Sequence, residues 1–535
     1  MDLAINGVLV PDFEEMRFVK KSVGIRNGTI EALESEPIKA QRVIDASGYY
    51  LSAGLIDCHC HIESSHLLPS RFGNTIAAFG TLHAVCDCHE IANVFGREGL
   101  EFFMEEAGKS LANLLFAVPS CVPATEFATN GGRIDVEDVK VLMRSDRVVS
   151  LGELMNVPAV INGDERFKEM IRIARMSGKR VNGHAPHLSG KELEAYVAAG
   201  VEDDHESETY EELKEKIKAG MHVFLREGSA EKVTPEAYRI IEEYPDRVMF
   251  ATDDKSVGDI LRYGHINYNL KRAIELGVDP IYAFRAASYN GLEYYGLHEY
   301  SSVDVGKRAY LVLFDREFNI RSVIINGKLV TDYDVDVSVP KKFLDSIRLD
   351  GVKFVPEIEH RHLCIGAKDG SLITDKLTVD TNLPDFDLEK DMLKLAVFER
   401  YGHGNKKACR IKGFGLKKGA IASSLAHDCH NIVAVGTSDD AIRKVVNEVI
   451  KCHGGLALYD EKDMYCLPLE VGGIVSTKDA RDVANRVELL KKKARELGST
   501  LADPFGTLSF MALEVIPHLK LTDKGLFDVD RFSYV

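Results

Sequence analysis

Apolar residues in this chain gather into short runs separated by stretches in which they recur every three or four positions. Eight runs between residues 56 and 254 read as strands: 56–61, 83–89, 113–119, 147–153, 180–184, 200–205, 221–227 and 248–254. Helix signals fill the gaps. Ser189-Gly190-Lys191-Glu192 reads as a capping box opening a helix that Gly200 stops, and Thr209-Tyr210-Glu211-Glu212 as a second, ended by Gly220. Eight strands alternating with helices over about 250 residues predict a (β/α)8 TIM-like barrel, with a doubly wound open sheet as the competitor.

The flanks have a different rhythm. Residues 1–54 alternate short apolar runs with turn signals, of which Asn27-Gly28 is the strongest hairpin mark. The strand Ile5-Asn6-Gly7-Val8-Leu9-Val10 returns as Ile325-Asn326-Gly327-Lys328-Leu329-Val330. We therefore expect 1–54 and 305–335 to form one small β domain, with the barrel, 55–304, inserted between them. From 340 to 535 a separate C-terminal α/β domain is expected. Segments 341–350 and 357–373 read as polar and irregular there, 432–436 and 455–459 as strands, and 439–452 and 478–497 as helices. In the last helix Ala480, Val483, Ala484, Val487, Leu490 and Ala494 line one face.

Composition narrows the class. A chain of 535 residues is too long for one core. Its 67 basic and 83 acidic residues leave a net charge of −16, against a general nucleic-acid binder. No run of 18 apolar residues and no basic leader before one suggest neither a membrane span nor secretion. Ten cysteines are too dilute for a disulfide framework, and a reducing cytoplasm fits them.

The chemistry gathers where the runs end. On a strand, His59 and His61 leave on one face, about 6–7 Å apart, while Cys58 and Cys60 point toward the helices. All the other runs but 113–119 finish in potential ligands or acid–base groups, at Cys88-His89-Glu90, Gly152-Glu153, Gly183-His184, Asp204-His205-Glu206, Arg226-Glu227 and Thr252-Asp253-Asp254. In a barrel those ends share one rim. His59, His61, Glu153, His184, His205 and Asp253 offer imidazoles and carboxylates suited to zinc, manganese or iron(II). Six donors exceed one tetrahedral site, so two divalent ions are expected, with Glu153 able to bridge them at about 3.5–4 Å. Water between them would have its pKa lowered from roughly 15.7 toward about 7, with Asp253 taking its proton.

These blocks resemble the amidohydrolase superfamily, and within it the adenine deaminases. The likeness covers His59–Ser65, His89–Val94, Gly152–Asn156, Gly183–Pro186, Asp204–Ser207, Arg226–Ala230 and Thr252–Asp254, and extends to Gly413–Leu416, 422–431 and 503–517. It implies hydrolysis of adenine to hypoxanthine and ammonia at a two-metal site usually associated with manganese or iron. One ion would be held by His59, His61 and Asp253 and the other by His184 and His205, with Glu153 between. Where related enzymes use a carboxylated lysine as the bridge, this chain has Glu153 and no lysine until Lys168. Attack at C6 of adenine also needs a donor for ring nitrogen N1, and Glu206 is the first candidate, followed by Asp254. His89, Glu90, Glu63 and Arg226 are expected near the substrate, although Arg226 also fits a structural role. His427-Asp428-Cys429-His430 reads either as a further ligand cluster or as a capped loop at a domain interface.

The resemblance thus implies a small-molecule substrate, adenine, and purine salvage. A homo-oligomer is expected, without nucleic-acid or membrane partners. A related amidohydrolase acting on another purine or cyclic amide is the alternative. A catalytically silent amidohydrolase-like scaffold would be expected to have lost ligands, and none of the six is lost.

Overall fold

The computed structural model describes residues 1–535. The two flanks meet in a single sheet. Leu311–Phe314 lies antiparallel to Tyr50–Ala53, pairing Leu311 with Ala53 and Phe314 with Tyr50. The sheet continues through Leu3–Asp12, Arg17–Arg26 and Thr29–Glu34 on one side and Ile320–Ile325 and Lys328–Leu329 on the other. Asn27 and Gly28, at φ 50° and 76°, form the two-residue turn between paired Arg26 and Thr29. Positive φ at both positions matches the twist of a right-handed hairpin.

The repeated hexapeptide lies in this sheet twice but does two jobs. In the first copy Gly7, at φ 73°, marks a register shift between Ile5 and Val8 within one long strand. In the second, Asn326 and Gly327, at φ 50° and 73°, are the hairpin turn between paired Ile325 and Lys328. Glycine supplies the left-handed conformation in both, and the neighbouring ladder decides whether it becomes a bulge or a turn.

All eight inner strands are present: Leu55–Cys60, Thr81–Asp87, Asn113–Val118, Val148–Leu151, Arg180–Val181, Asp203–Asp204, His222–Arg226 and Val248–Ala251. They run parallel in a group of five and a group of three. A Cys60–Asp253 bridge joins the last strand to the first. A single bond from the Glu202 N–H to the Val181 carbonyl, 3.0 Å, crosses between the fifth and sixth. Six of these strands are shorter than their apolar runs and the first two are shifted toward the N-terminus, because the last residues of each run leave the ladder and turn onto the rim.

Of the two expected capping boxes, Thr209–Glu212 forms with both reciprocal bonds. Ser189 precedes its helix without a side-chain bond, and the Gly190 N–H donates to Glu215 Oε1 at 2.9 Å instead.

The C-terminal part holds a second eight-stranded sheet. It is flanked by helices Asp439–Lys451 and Ala480–Glu496, the latter burying Val483, Leu490 and Ala494. The stretch 357–373, expected to be irregular, contains the strand Leu363–Gly366, seated between Asp375–Thr378 and Lys406–Lys412. Its four residues are too few to show a period against polar flanks. A contiguous apolar core runs from the barrel into this part, with Phe102 stacked on Phe343 at 4.1 Å between ring centroids. No helix is long and apolar enough to cross a membrane.

Candidate active site

The first and eighth strand ends are stapled by Asp57, a carboxylate within a fully buried strand. It accepts hydrogen bonds from the backbone N–H groups of His59 (3.2 Å) and Thr252 (3.1 Å) and from the Thr252 hydroxyl. Fixed in this way, His59 and His61 present their Nε2 atoms 3.2 Å apart. His61 Nδ1 lies 2.7 Å from the Asp87 carbonyl. A carbonyl can only accept, so in the neutral ring the proton sits on Nδ1 and the Nε2 lone pair faces the site.

Asp87 performs a second task through its side chain, accepting the Glu153 N–H on Oδ2 at 3.0 Å. A Cβ on Gly152 would fall 2.2 Å from that oxygen, so glycine before Glu153 lets the carboxylate approach. Glu153 Oε2 is 2.7 Å from His184 Nδ1 and 3.4 Å from His205 Nε2, and its Oε1 is 3.8 Å from His61 Nε2. It stands between the two histidine pairs. Asp253, at φ 54°, turns Oδ1 to within 3.0 Å of His61 Nε2 and 3.6 Å of His59 Nε2. His205 stacks on His59 with ring centroids 3.9 Å apart. The six residues expected as ligands are therefore brought together.

A divalent cation fits this donor set. The triads His59–His61–Asp253 and His59–Glu153–His205 each gather their donor atoms within 4.8 Å. Both ring nitrogens of buried His205 lack a hydrogen-bond partner, a costly arrangement unless something else uses them. Burial pushes the carboxyls of Glu153 and Asp253 up. The neighbouring imidazoles overcome that and hold both well below the usual carboxylate range.

Around this centre, Glu206 Oε1 lies 3.2 Å from His205 Nε2, 3.6 Å from His184 Nδ1 and 2.6 Å from Arg226 Nη1. Asp254 accepts a hydrogen bond from the Ser64 hydroxyl. Glu63 accepts the Ile91 N–H at 3.2 Å on one oxygen and keeps the other buried without a partner. Burial pushes its carboxyl up to about 7. His89 opens the helix His89–Phe95 with Nδ1 3.7 Å from Glu153 Oε1. Arg226, expected near the substrate or in a structural role, is 2% exposed, with its Nη1 beside Glu206, Asp253 (2.7 Å) and Glu231 (2.9 Å). Its Nη1 donates to Glu206 and Asp253, and so braces two of the site's acids.

Glu90 faces the C-terminal part rather than the barrel centre. His427 Nδ1 lies 2.5 Å from one of its oxygens and His430 Nε2 meets the other. The cluster at 427–430 is thus a loop at the interface that also reaches the rim. Asp57 and Asp87 were not among the expected site residues. Their one sequence signal is an aspartate inside an otherwise apolar buried run, which must find a partner.

A profile of the amidohydrolase family matches residues 50–330, and one of the adenine deaminase C-terminal domain matches 371–533. The chain is 40% identical to an adenine deaminase of Methanosarcina mazei, across 99% of this chain and 98% of the relative. It is also 40% identical to an adenine deaminase of Sulfurovum sp., across 96% of each. A solved adenine deaminase structure superposes with a TM-score of 0.46 at 16% identity, covering 62% of this chain and 100% of the other.

Proposed function

The chain belongs to the amidohydrolase family and, by relatives that match it end to end, to the adenine deaminases within it, and from this we propose that it hydrolyses adenine to hypoxanthine and ammonia. The observation that carries the reading is the convergence of His59, His61, Glu153, His184, His205 and Asp253 on one rim. Divalent metal use follows from the family. We assign two ions, one to His59, His61 and Asp253 and one to His184 and His205, with Glu153 between. Manganese is the metal the resemblance favours, with iron(II) and zinc compatible with these donors. When bound, such ions lower the pKa of water to about 7, making hydroxide available near neutrality.

The chain's own groups then divide the proton work. Asp253 is held at Oδ2 by Arg226, which leaves Oδ1 to accept the proton that the attacking water releases. Glu206, braced by the same arginine, delivers a proton toward N1 of the ring, with Asp254 second in rank. As the C6–N6 bond breaks, one of the two protons that water supplied leaves with ammonia and the other restores Glu206. His89, Glu90 and Glu63 border the substrate. We divide the chain into a discontinuous β domain (1–54 and 305–335), a catalytic barrel (55–304) and a C-terminal domain (340–535). A cytoplasmic setting suits ten unpaired cysteines.

The reading is tested by offering manganese-loaded protein a panel of nucleobases and a cyclic amide, before and after chelation. Adenine is expected to give equimolar hypoxanthine and ammonia, with the rate lost on metal removal. Undiminished turnover in fully metal-free protein, or preference for another member of the panel, would overturn it.

A further inference from the structure

The loop 427–430 lies over the barrel rim with both imidazoles committed to Glu90. The His427 ring also stacks on Phe510 at 4.6 Å, and the His427 backbone N–H donates to the Ser509 carbonyl at 3.1 Å. Asp428, between these anchors, is 9% exposed. Its carboxylate lies 3.8 Å from His427 Nδ1, which is beyond hydrogen-bond reach and already taken by Glu90, and its other imidazole neighbour is His89. One of its oxygens lies within 4.8 Å of the donor atoms of His89 and Glu90, and His89 in turn is 3.7 Å from Glu153. The carboxylate is thus held one imidazole away from the ligand cluster, on the side facing the C-terminal domain.

A carboxylate there can only accept hydrogen bonds, and at 9% exposure little water reaches it to supply them. Free adenine offers what it lacks. Its five-membered ring carries one N–H, remote from the C6 that reacts, whereas a purine substituted at N9, such as a nucleoside, has none. We propose that Asp428 accepts this ring N–H and so selects the free base over N9-substituted purines. The inference rests on the adenine reading above. Sites built to receive a buried N–H discriminate strongly because its absence leaves their own polar group unpaired.

The test compares full-length, metal-loaded wild type with Asp428→Ala and Asp428→Asn. Each is assayed with adenine and 9-methyladenine, titrated calorimetrically with both bases, and analysed for metal. Asp428→Ala is expected to raise the KM and Kd for adenine on the order of 10- to 100-fold. Metal content should be unchanged, and the wild-type preference for adenine over 9-methyladenine should shrink by a similar factor. Asp428→Asn, whose amide oxygen still accepts, should fall between, and it decides the matter if the alanine variant does not fold. Unchanged KM, Kd and preference, or the loss of a metal equivalent, would overturn the assignment. Wild type that binds adenine without converting it removes the proposed reaction and leaves the binding data to judge Asp428. Failure to bind adenine at all overturns both.

Discussion

Glu206 is the side chain on which the proton account turns. It touches both histidines of the second proposed metal and shares Arg226 with Asp253, so it is placed to relay a proton toward the reacting ring. Burial pushes its carboxyl up, but the imidazoles and Arg226 overcome that and hold it below its usual range. Replacing it with glutamine keeps the shape and removes the acid. Glu206→Gln is expected to lower kcat by about 100-fold or more, while metal analysis returns the wild-type content. Near-native turnover would pass the donor role to Asp254. The candidate ligands were legible because seven of the eight apolar runs close on a histidine or a carboxylate; a polar strand end alone is common, and the joint pattern is the signal. Asp57 and Asp87 were not, since the groups they hold lie far away in sequence, at Thr252 and Glu153. Arg226 was only half legible. The sequence shows a cation at a strand end but not the carboxylates that surround it.

At the scale of elements, the apolar runs marked every inner strand, yet not where each ladder stops. Pairing ends when the chain turns onto the rim, and that depends on a neighbour many residues distant. Helix starts divide in the same way. Thr209 and Ser189 carry the same local signature, but only Thr209 makes the cap; the Ser189 side chain takes no N–H of its helix, and Glu215 receives the Gly190 N–H. Thr209→Ala is expected to destabilise the fold by about 1 kcal/mol, and Ser189→Ala by no more than a few tenths. Denaturant unfolding of the two variants checks the pair, and equal losses would contradict the capping geometry.

For the whole molecule, the recurring Ile-Asn-Gly strand showed that the flanks belong together around an insertion. It could not show how the C-terminal part docks. His430 reaches Glu90 across 340 residues, and no local pattern announces such a contact. Its consequence is that the rim is finished by the C-terminal part, which supplies His427, Asp428 and His430 to a site whose metal ligands all come from the barrel. The six proposed ligands form one unit only if Glu153 joins its two halves. Elemental analysis of wild type and Glu153→Gln, each prepared with excess manganese, tests this most directly. Two ions per chain are expected in the wild type, and one or fewer in the variant, whose adenine turnover should fall by at least about 100-fold. A Glu153→Gln protein that keeps two ions and the native rate would contradict the account.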